Sequence, residues 1–513
     1  MKMEYLIGVD IGTQGTKAVL INQDGKVLSH SYSGYEVETP KQSWAQQWPD
    51  VWEQATYTTI KNVISKSGVE KKHIKGVGIS SLYGGSGIPV NANMEALAPC
   101  LIWMDRRAKK EVEWVQQNIN LDELFDITGN SVNSYFGFTK ILWYKNNYPD
   151  LWNKIKYFIP PAPYLVYKLT DNLAVDYSSA GNLGGVFDIR NKEWSATMTN
   201  KLGIPITMLP EKLVSSYEIV GGVTEDMANI TGLLKGTPVV CGGVDASVAT
   251  ISAGARAEGN HVAMLGTSMC WGFVTGKANI SPNLVSMPHA IDPLEKIYTF
   301  GGAATAGALM KWFKNILGES ELQAESLTGI NAYTLLDLIS KDVPAGSNGL
   351  IALPYFMGER SPIWDSDARG LLIGLSLLHK KEDIYKALME GVAYSLRHNM
   401  EMVEGTNTKL DNEVIIVGGG SKSMIWPQIY ADVTGKRVRI IKNDVEATLG
   451  DALLAGIGTG VIKDSAVVQD WLEYEQTIEP INENHCLYNV YYEEYKKLYE
   501  NVKETMWTLA NHN

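Results

Sequence analysis

Residues 8–17 read GVDIGTQGTK, a run that brings together three glycines, two threonine hydroxyls, a lysine and a carboxylate. A triphosphate needs backbone N–H groups at short range, which glycine permits by lacking a Cβ, together with hydroxyl donors and a cation. The run supplies all of them. Asp10 would repel a bare phosphate, so its presence calls for a divalent cation, Mg²⁺, between the two. An ordinary Gly/Thr hairpin is the bland alternative, and a lone GxxG would favour it; the acid, threonines and lysine in one run weigh against it. The run is not a Walker loop, because no Gly-Lys-Ser/Thr precedes a helix.

A second acid, Asp245, ends the apolar segment TPVVCGGV at 237–244. At such a position it can accept the proton of an attacking hydroxyl or simply cap a helix, and spacing alone leaves both roles open. Three further glycine turns follow apolar runs: Gly266-Thr267-Ser268, Gly301 and Gly302 with Gly307, and Gly418 to Gly420. Each is weak alone, and together they suggest backbone approached closely by a flat or phosphorylated ligand. Trp103, Asp105 and Arg107 combine an aromatic face with an acid and a base. A polyol suits such a set, although a packed Trp at a solvated helix start is the plainer reading.

These residues need elements to hold them. Apolar runs at 5–9, 18–22 and 27–31, separated by turns at 12–15 and 24–25, read as a β-meander, and Asp24-Gly25 is a strong hairpin signal. Helical spacing follows at 48–65 and 107–118, with a strand at 76–80 between them. The second half repeats the opening: a strand at 261–265, the Gly266-Thr267-Ser268 turn, a returning strand at 269–274. A strand at 413–417 feeds a glycine turn and helical spacing at 423–434. The tail, 489–509, has the pattern of a peripheral amphipathic helix. The fold class is mixed α/β.

With 513 residues, 45% hydrophobic and 20% charged, the chain exceeds what one core supports, so two or more domains are expected. The net charge of −12, without a basic run, argues against nucleic acid as a partner. No 18-residue uncharged stretch occurs and the first apolar stretch contains an acid, so neither membrane span nor signal peptide is expected, and the cytoplasm is the expected location. Cys100, Cys241, Cys270 and Cys486 lack CxxC spacing and are expected to be reduced core residues. The eight histidines show no metal spacing, and no GxSxG occurs.

The landmarks together resemble the FGGY family of carbohydrate kinases, in order over almost the whole chain. GVDIGT at 8–13 resembles the family's first phosphate segment, LIWMDRR at 101–107 its sugar-side motif, GGVD at 242–245 its catalytic segment and GTS at 266–268 its second phosphate turn. PYFMGERSP at 354–362, GLLIGL at 370–375 through Glu390-Gly391, and GGGS at 418–421 complete the pattern. The resemblance implies two ribonuclease H-like domains of the actin and hexokinase type flanking a deep cleft whose closure excludes water. Residues 1–247 would form the sugar and phosphate side, and 248–513 the nucleotide side. It further implies ATP and Mg²⁺ as cofactors and a small sugar as substrate; a homodimer stays open. By the same resemblance Asp245 is the general base and Asp10 with Asp245 holds the metal. Thr13, Gln14, Gly15 and Lys17 face the phosphates, while Gly266, Thr267, Gly307, Lys311, Gly419 and Ser423 contact the nucleotide. Tyr83, Gly84, Trp103, Asp105 and Tyr135 fall on the sugar side.

Departures from the subfamilies bear on substrate. Xylulose kinases usually carry Gln-Met-His-Gly where this chain has Leu82-Tyr83-Gly84-Gly85, and Asn where it has Ala246. Glycerol kinases carry Arg-Glu at Tyr83-Gly84, although the stretch at Tyr135-Phe136 is closer to theirs. A pocket widened at Gly84 would admit a pentulose, a hexulose or a polyol of that length, and xylulose-like ketoses rank first. An actin-like or heat-shock-type ATPase, the reading from another class, would turn over ATP without sugar and leaves Trp103 and Asp105 without a task.

Overall fold

The computed structural model describes residues 3–276, 280–404, 406–442, 447–510 and 512. The chain divides into two compact units. The first comprises Met1–Arg256, Val274–Thr299 and Val445–Leu472, the second Ala257–Phe273, Phe300–Asp444 and Glu473–Asn513. Each unit is therefore assembled from three stretches, whereas the halves 1–247 and 248–513 imply a single crossing.

The first unit is centred on a mixed sheet. Tyr5–Ile11, Gly15–Asn22 and Val27–Gly34 form the expected antiparallel meander. Ile74–Ser81 pairs parallel with Tyr5–Ile11, and Pro238–Val240 and Gly243–Val244 pair parallel with Ile74–Ser81. This order, an antiparallel hairpin followed by parallel strands, is the ribonuclease H-like arrangement. The single strand expected at 237–244 is broken in two, because Gly242 takes φ +76° and a Cβ there would lie 1.6 Å from the Ile79 carbonyl oxygen.

Alternation of side chains assigns the two faces of the first strand. Ile7, Val9 and Ile11 join a core with Trp52, Ile60 and Val63 of helix Pro49–Ser67. Leu6 points the other way, into a core with Ala452, Leu453 and Leu454 of helix Ala447–Thr459. On that second face a Cβ on Gly8 would lie 1.8 Å from the Thr448 carbonyl oxygen, and one on Gly78 would lie 2.1 Å from that of Asp451. Two strands thus present bare backbone so that a helix can pack directly on them.

In the second unit His261–Leu265 pairs antiparallel with the first residues of Met269–Gly276 and parallel with Glu413–Val417. Arg437–Ile441 continues the parallel set, and Tyr474–Ile478 closes it antiparallel. The strand, Gly-Thr turn, strand pattern of the first unit recurs here, as the sequence suggests. The tail forms helix Asn482–Ala510, anchored by buried Tyr488, Tyr492 and Tyr495. Cys100 and Cys241 are buried as expected; Cys270 is half-buried and Cys486 exposed, since it lies on the outer side of that tail helix. None of the four is in a disulfide. Among the described residues no helix is long and apolar enough to cross a membrane.

Candidate active site

Asp10 lies on the first strand, in register with Lys17 on one side and Ser80 on the other. Strand parity puts Asp10 on the face of Leu6 and Gly8, so it emerges where helix Ala447–Thr459 packs. There a residue that the motifs did not point to enters the site. Asp451, fully buried on that helix, accepts a 2.7 Å hydrogen bond through Oδ2 from the Ser80 hydroxyl. Burial first, then the charge of Asp10 and more weakly that of Asp245, pushes the Asp451 carboxyl well above the usual carboxylate range.

Asp245 is half-buried and forms the first residue of helix Asp245–Ser252. The cap is Val244, so the capping role left open by spacing is not Asp245's. Its Oδ1 accepts a 2.6 Å hydrogen bond from the Ala246 N–H. Gly243 pairs with Ser80 and Val244 with Ser81, which brings Asp245 to the strand end that carries Asp10. Another buried acid supports the turn: the Val244 N–H donates to Ser178 Oγ at 3.1 Å, and Ser178 in turn donates to Asp176.

The hairpin tip is tightly tied. Gly12 N–H donates to the Gly15 carbonyl, and the Gln14 carbonyl receives the Tyr32 hydroxyl and the Tyr35 N–H. The bare side of Gly15 faces the Tyr32 ring, since a Cβ there would come within 2.4 Å of it. Thr13 Oγ1 accepts from Trp103 Nε1, and its carbonyl accepts from Gln47 Nε2, both at 3.0 Å. Gln14 is exposed, and Lys17 is half-buried on the same face as Asp10.

On the expected sugar side, Tyr83 and Tyr135 are buried ring against ring, 4.7 Å between centroids. Lys140, fully buried on helix Gly137–Asn147, donates to the carbonyls of Ile102 and Tyr135 and so ties together the two segments that carry Trp103 and Tyr135. Burial lowers its ammonium pKa to about 7, against the opposing pull of Asp105. Asp105 is itself fully buried, and its oxygens accept from the Ala45 N–H, the Arg107 N–H and Arg107 Nε. It therefore organises Arg107, which stacks on Trp44 at 3.8 Å, and presents no oxygen to solvent. The widening expected at Gly84 is not found: a Cβ there would meet the Pro161 ring at 2.2 Å, so the missing side chain makes room for Pro161. A small cavity of about 10 Å³, room for a single water, is lined by Tyr83, Gly84, Pro160, Ser179 and Val244 among others.

In the second unit the Gly266-Thr267 carbonyls accept from the N–H groups of Ala306, Gly307 and Ala308, which fixes the turn against the start of helix Gly307–Leu317. Gly307 is needed for that approach, since a Cβ would lie 2.6 Å from the Gly266 carbonyl oxygen. Lys311 is exposed one turn along this helix. Gly419 opens the short helix Gly419–Lys422 with nothing within 4 Å of where a Cβ would be. Ser423 is held at 2.8 Å by Asp337, a buried acid the motifs did not point to, which also accepts from the Met424 N–H. Asp10, Lys17, Asp245 and Trp103 thus belong to the first unit, and Gly266, Thr267, Gly307, Lys311, Gly419 and Ser423 to the second.

Asp10 and Asp245 offer hard carboxylate oxygens, the donor type that a divalent cation takes. Among the described residues no group of three or more His, Cys, Asp or Glu could hold a metal ion by itself. Mg²⁺ in phosphoryl transfer uses one or two carboxylates and completes its shell with phosphate and water, so the residues present fit it.

Known proteins match both parts of the chain. Residues 5–252 match the N-terminal domain, and 261–459 the C-terminal domain, of the FGGY family of carbohydrate kinases. The chain is 30% identical to a xylulose kinase of Bacillus subtilis over 506 residues, covering 98% of each. It is 29% identical over 486 residues to a gluconokinase of the same species, covering 94% of this chain and 92% of that one. The structure superposes on a gluconate kinase from Lactobacillus acidophilus with a TM-score of 0.89 at 24% identity, covering 98% of both chains.

Proposed function

The chain belongs to the FGGY family of carbohydrate kinases, and on that premise we propose that it transfers the γ-phosphoryl group of ATP to a hydroxyl of a ketopentose such as xylulose. The reaction class is that of the family: a phosphoryl group moves to an alcohol of a sugar. The choice of sugar leans on the resemblance to xylulose kinases across nearly the whole chain.

One arrangement carries the chemistry. Asp245 opens its helix at the strand end that also bears Asp10, half-buried and with its Oδ1 accepting from the Ala246 N–H. A carboxylate so placed takes the proton from the attacking hydroxyl as the new P–O bond forms. Asp10 and Asp245 would hold Mg²⁺, which supplies charge neutralisation to the phosphates when bound. Thr13, Gln14, Gly15 and Lys17 lie beside Asp10 to receive phosphate oxygens, with Gly266, Thr267, Gly307, Lys311, Gly419 and Ser423 assigned to the nucleotide. Trp103, Tyr83, Gly84 and Tyr135 are assigned to the sugar; Asp105 acts from behind by holding Arg107.

The absence of Met-His at Tyr83-Gly84 and the gluconokinase relative favour a second reading, phosphorylation of a sugar acid of similar length. A coupled ADP assay over xylulose, ribulose, glycerol and gluconate separates the two. Xylulose is expected to give the highest kcat/KM, and turnover of gluconate alone would replace it. In the same assay Asp245→Asn should cut sugar-dependent ADP formation by roughly a hundredfold to ten-thousandfold while nucleotide binding persists. Sugar-independent ATP turnover at the full rate would instead support an actin-type ATPase.

A further inference from the structure

Ser80 stands where three strands meet. It is in register with Asp10 on one side and with Gly243, two residues before Asp245, on the other. Its hydroxyl points to the helix layer that Asp10 also faces and donates to Asp451 Oδ2 at 2.7 Å. Asp451 is fully buried, and its Oδ1 has no hydrogen-bond partner among the described residues.

We propose that Asp451 is a positioning residue for phosphoryl transfer: through Ser80 it fixes the strand end on which Asp10 and Asp245 converge. The inference rests on the kinase reading above. Packing alone would not select a carboxyl here, because the neighbouring positions Ala452, Leu453 and Leu454 fill their core with apolar side chains. A buried carboxyl with an unpartnered oxygen, close to two other acids, is unfavourable for stability. Its helix is nevertheless seated with no slack, since the backbone of Asp451 touches Gly78 and that of Thr448 touches Gly8. The helix that carries the carboxyl cannot shift along or away from the strand without moving that contact. Burial, and after it the charge of Asp10, raises its pKa well above the usual carboxylate range.

The test compares Asp451→Ala, Asp451→Asn and Ser80→Ala in the full chain, measuring kcat, KM for sugar and for ATP, and the melting temperature. Asp451→Ala is expected to lower kcat roughly tenfold to a hundredfold, the range a displaced catalytic group produces, with both KM values within about twofold. Asn keeps an acceptor for Ser80 and a donor beside it, so Asp451→Asn should recover kcat to within about threefold of the parent protein. Ser80→Ala should reproduce Asp451→Ala, and the double variant should be no worse than the worse single one. Unchanged kcat in folded Asp451→Ala, or Asp451→Asn as impaired as Asp451→Ala, overturns the proposal. If Asp451→Ala does not fold, Ser80→Ala alone decides between the same two outcomes. A parent protein that phosphorylates no sugar sinks the kinase reading itself, a result distinct from an active parent indifferent to Asp451.

Discussion

The indole Nε1 of Trp103 donates a 3.0 Å hydrogen bond to Oγ1 of Thr13, so the tip of the first hairpin and the aromatic residue assigned to the sugar form one connected element. Losing this bond should disturb phosphate and sugar handling together. Thr13→Val and Trp103→Phe are each expected to lower kcat/KM for the sugar about fivefold, the equivalent of ~1 kcal/mol for one net hydrogen bond. Thr13→Ser should keep activity. Additive losses in the double variant would show that the two residues act separately.

The close seating of helix Ala447–Thr459 makes Gly8 and Gly78 intolerant of any side chain. A Cβ at Gly78 would lie 2.1 Å from a helix carbonyl oxygen, and neither backbone is free to retreat. Gly78→Ala should destabilise the protein by about 3 kcal/mol or more, read from the urea midpoint at constant m-value. A change under about 0.5 kcal/mol, typical of an open surface site, would contradict the packing described.

Lys140 gives the protein a pH dependence of defined sign. Its ammonium titrates at 10.5 in its ordinary state and near 7 when buried in the folded chain, so between these values the unfolded chain holds the extra proton. Stability therefore rises with pH from about 7 to about 10.5 and is flat in this respect below 7. Between pH 7 and 9 the unfolding free energy of the parent protein should rise relative to that of Lys140→Met by on the order of 2 kcal/mol. A difference independent of pH would mean that Lys140 stays protonated throughout. Because the substitution also strips the donor from the Ile102 and Tyr135 carbonyls, its activity on sugar should fall as well.

Asp337 offers a test on the second unit. It holds the Ser423 hydroxyl and the Met424 N–H, each at 2.8 Å, so the loop assigned to the nucleotide depends on it. Asp337→Ala should raise KM for ATP roughly fivefold, about 1 kcal/mol of lost ordering, and leave KM for the sugar within about twofold. An equal rise in both would point to general unfolding of the loop rather than to nucleotide contact.

Local chemistry made much of this legible. Asp24-Gly25 announced a hairpin that is present between Gly15–Asn22 and Val27–Gly34, and the repeated strand, Gly-Thr turn, strand pattern located the first hairpin of each unit. These signals are short range: a turn needs particular residues whatever surrounds it. Gly8 is the instructive exception: it opens a glycine run whose type suits a phosphate, and the structure uses it as room for a helix. Gly84 follows the same logic, its missing side chain taken up by Pro161.

The sequence alone determined the residue types at Asp10, Asp245 and Trp103, the turns that carry them and the family they belong to. Only the tertiary structure decided their company. Ser80 and Asp451 are 371 residues apart, and nothing in the spacing of ATLGDALLAG at 447–456 marks Asp451 as different from an exposed helix acid. Asp105 is of a type that suits a sugar hydroxyl, but the Ala45 N–H and Arg107 Nε occupy its oxygens. Burial and long-range partnership are properties of packing, and a buried carboxyl takes its charge state and its task from whichever groups the fold places around it.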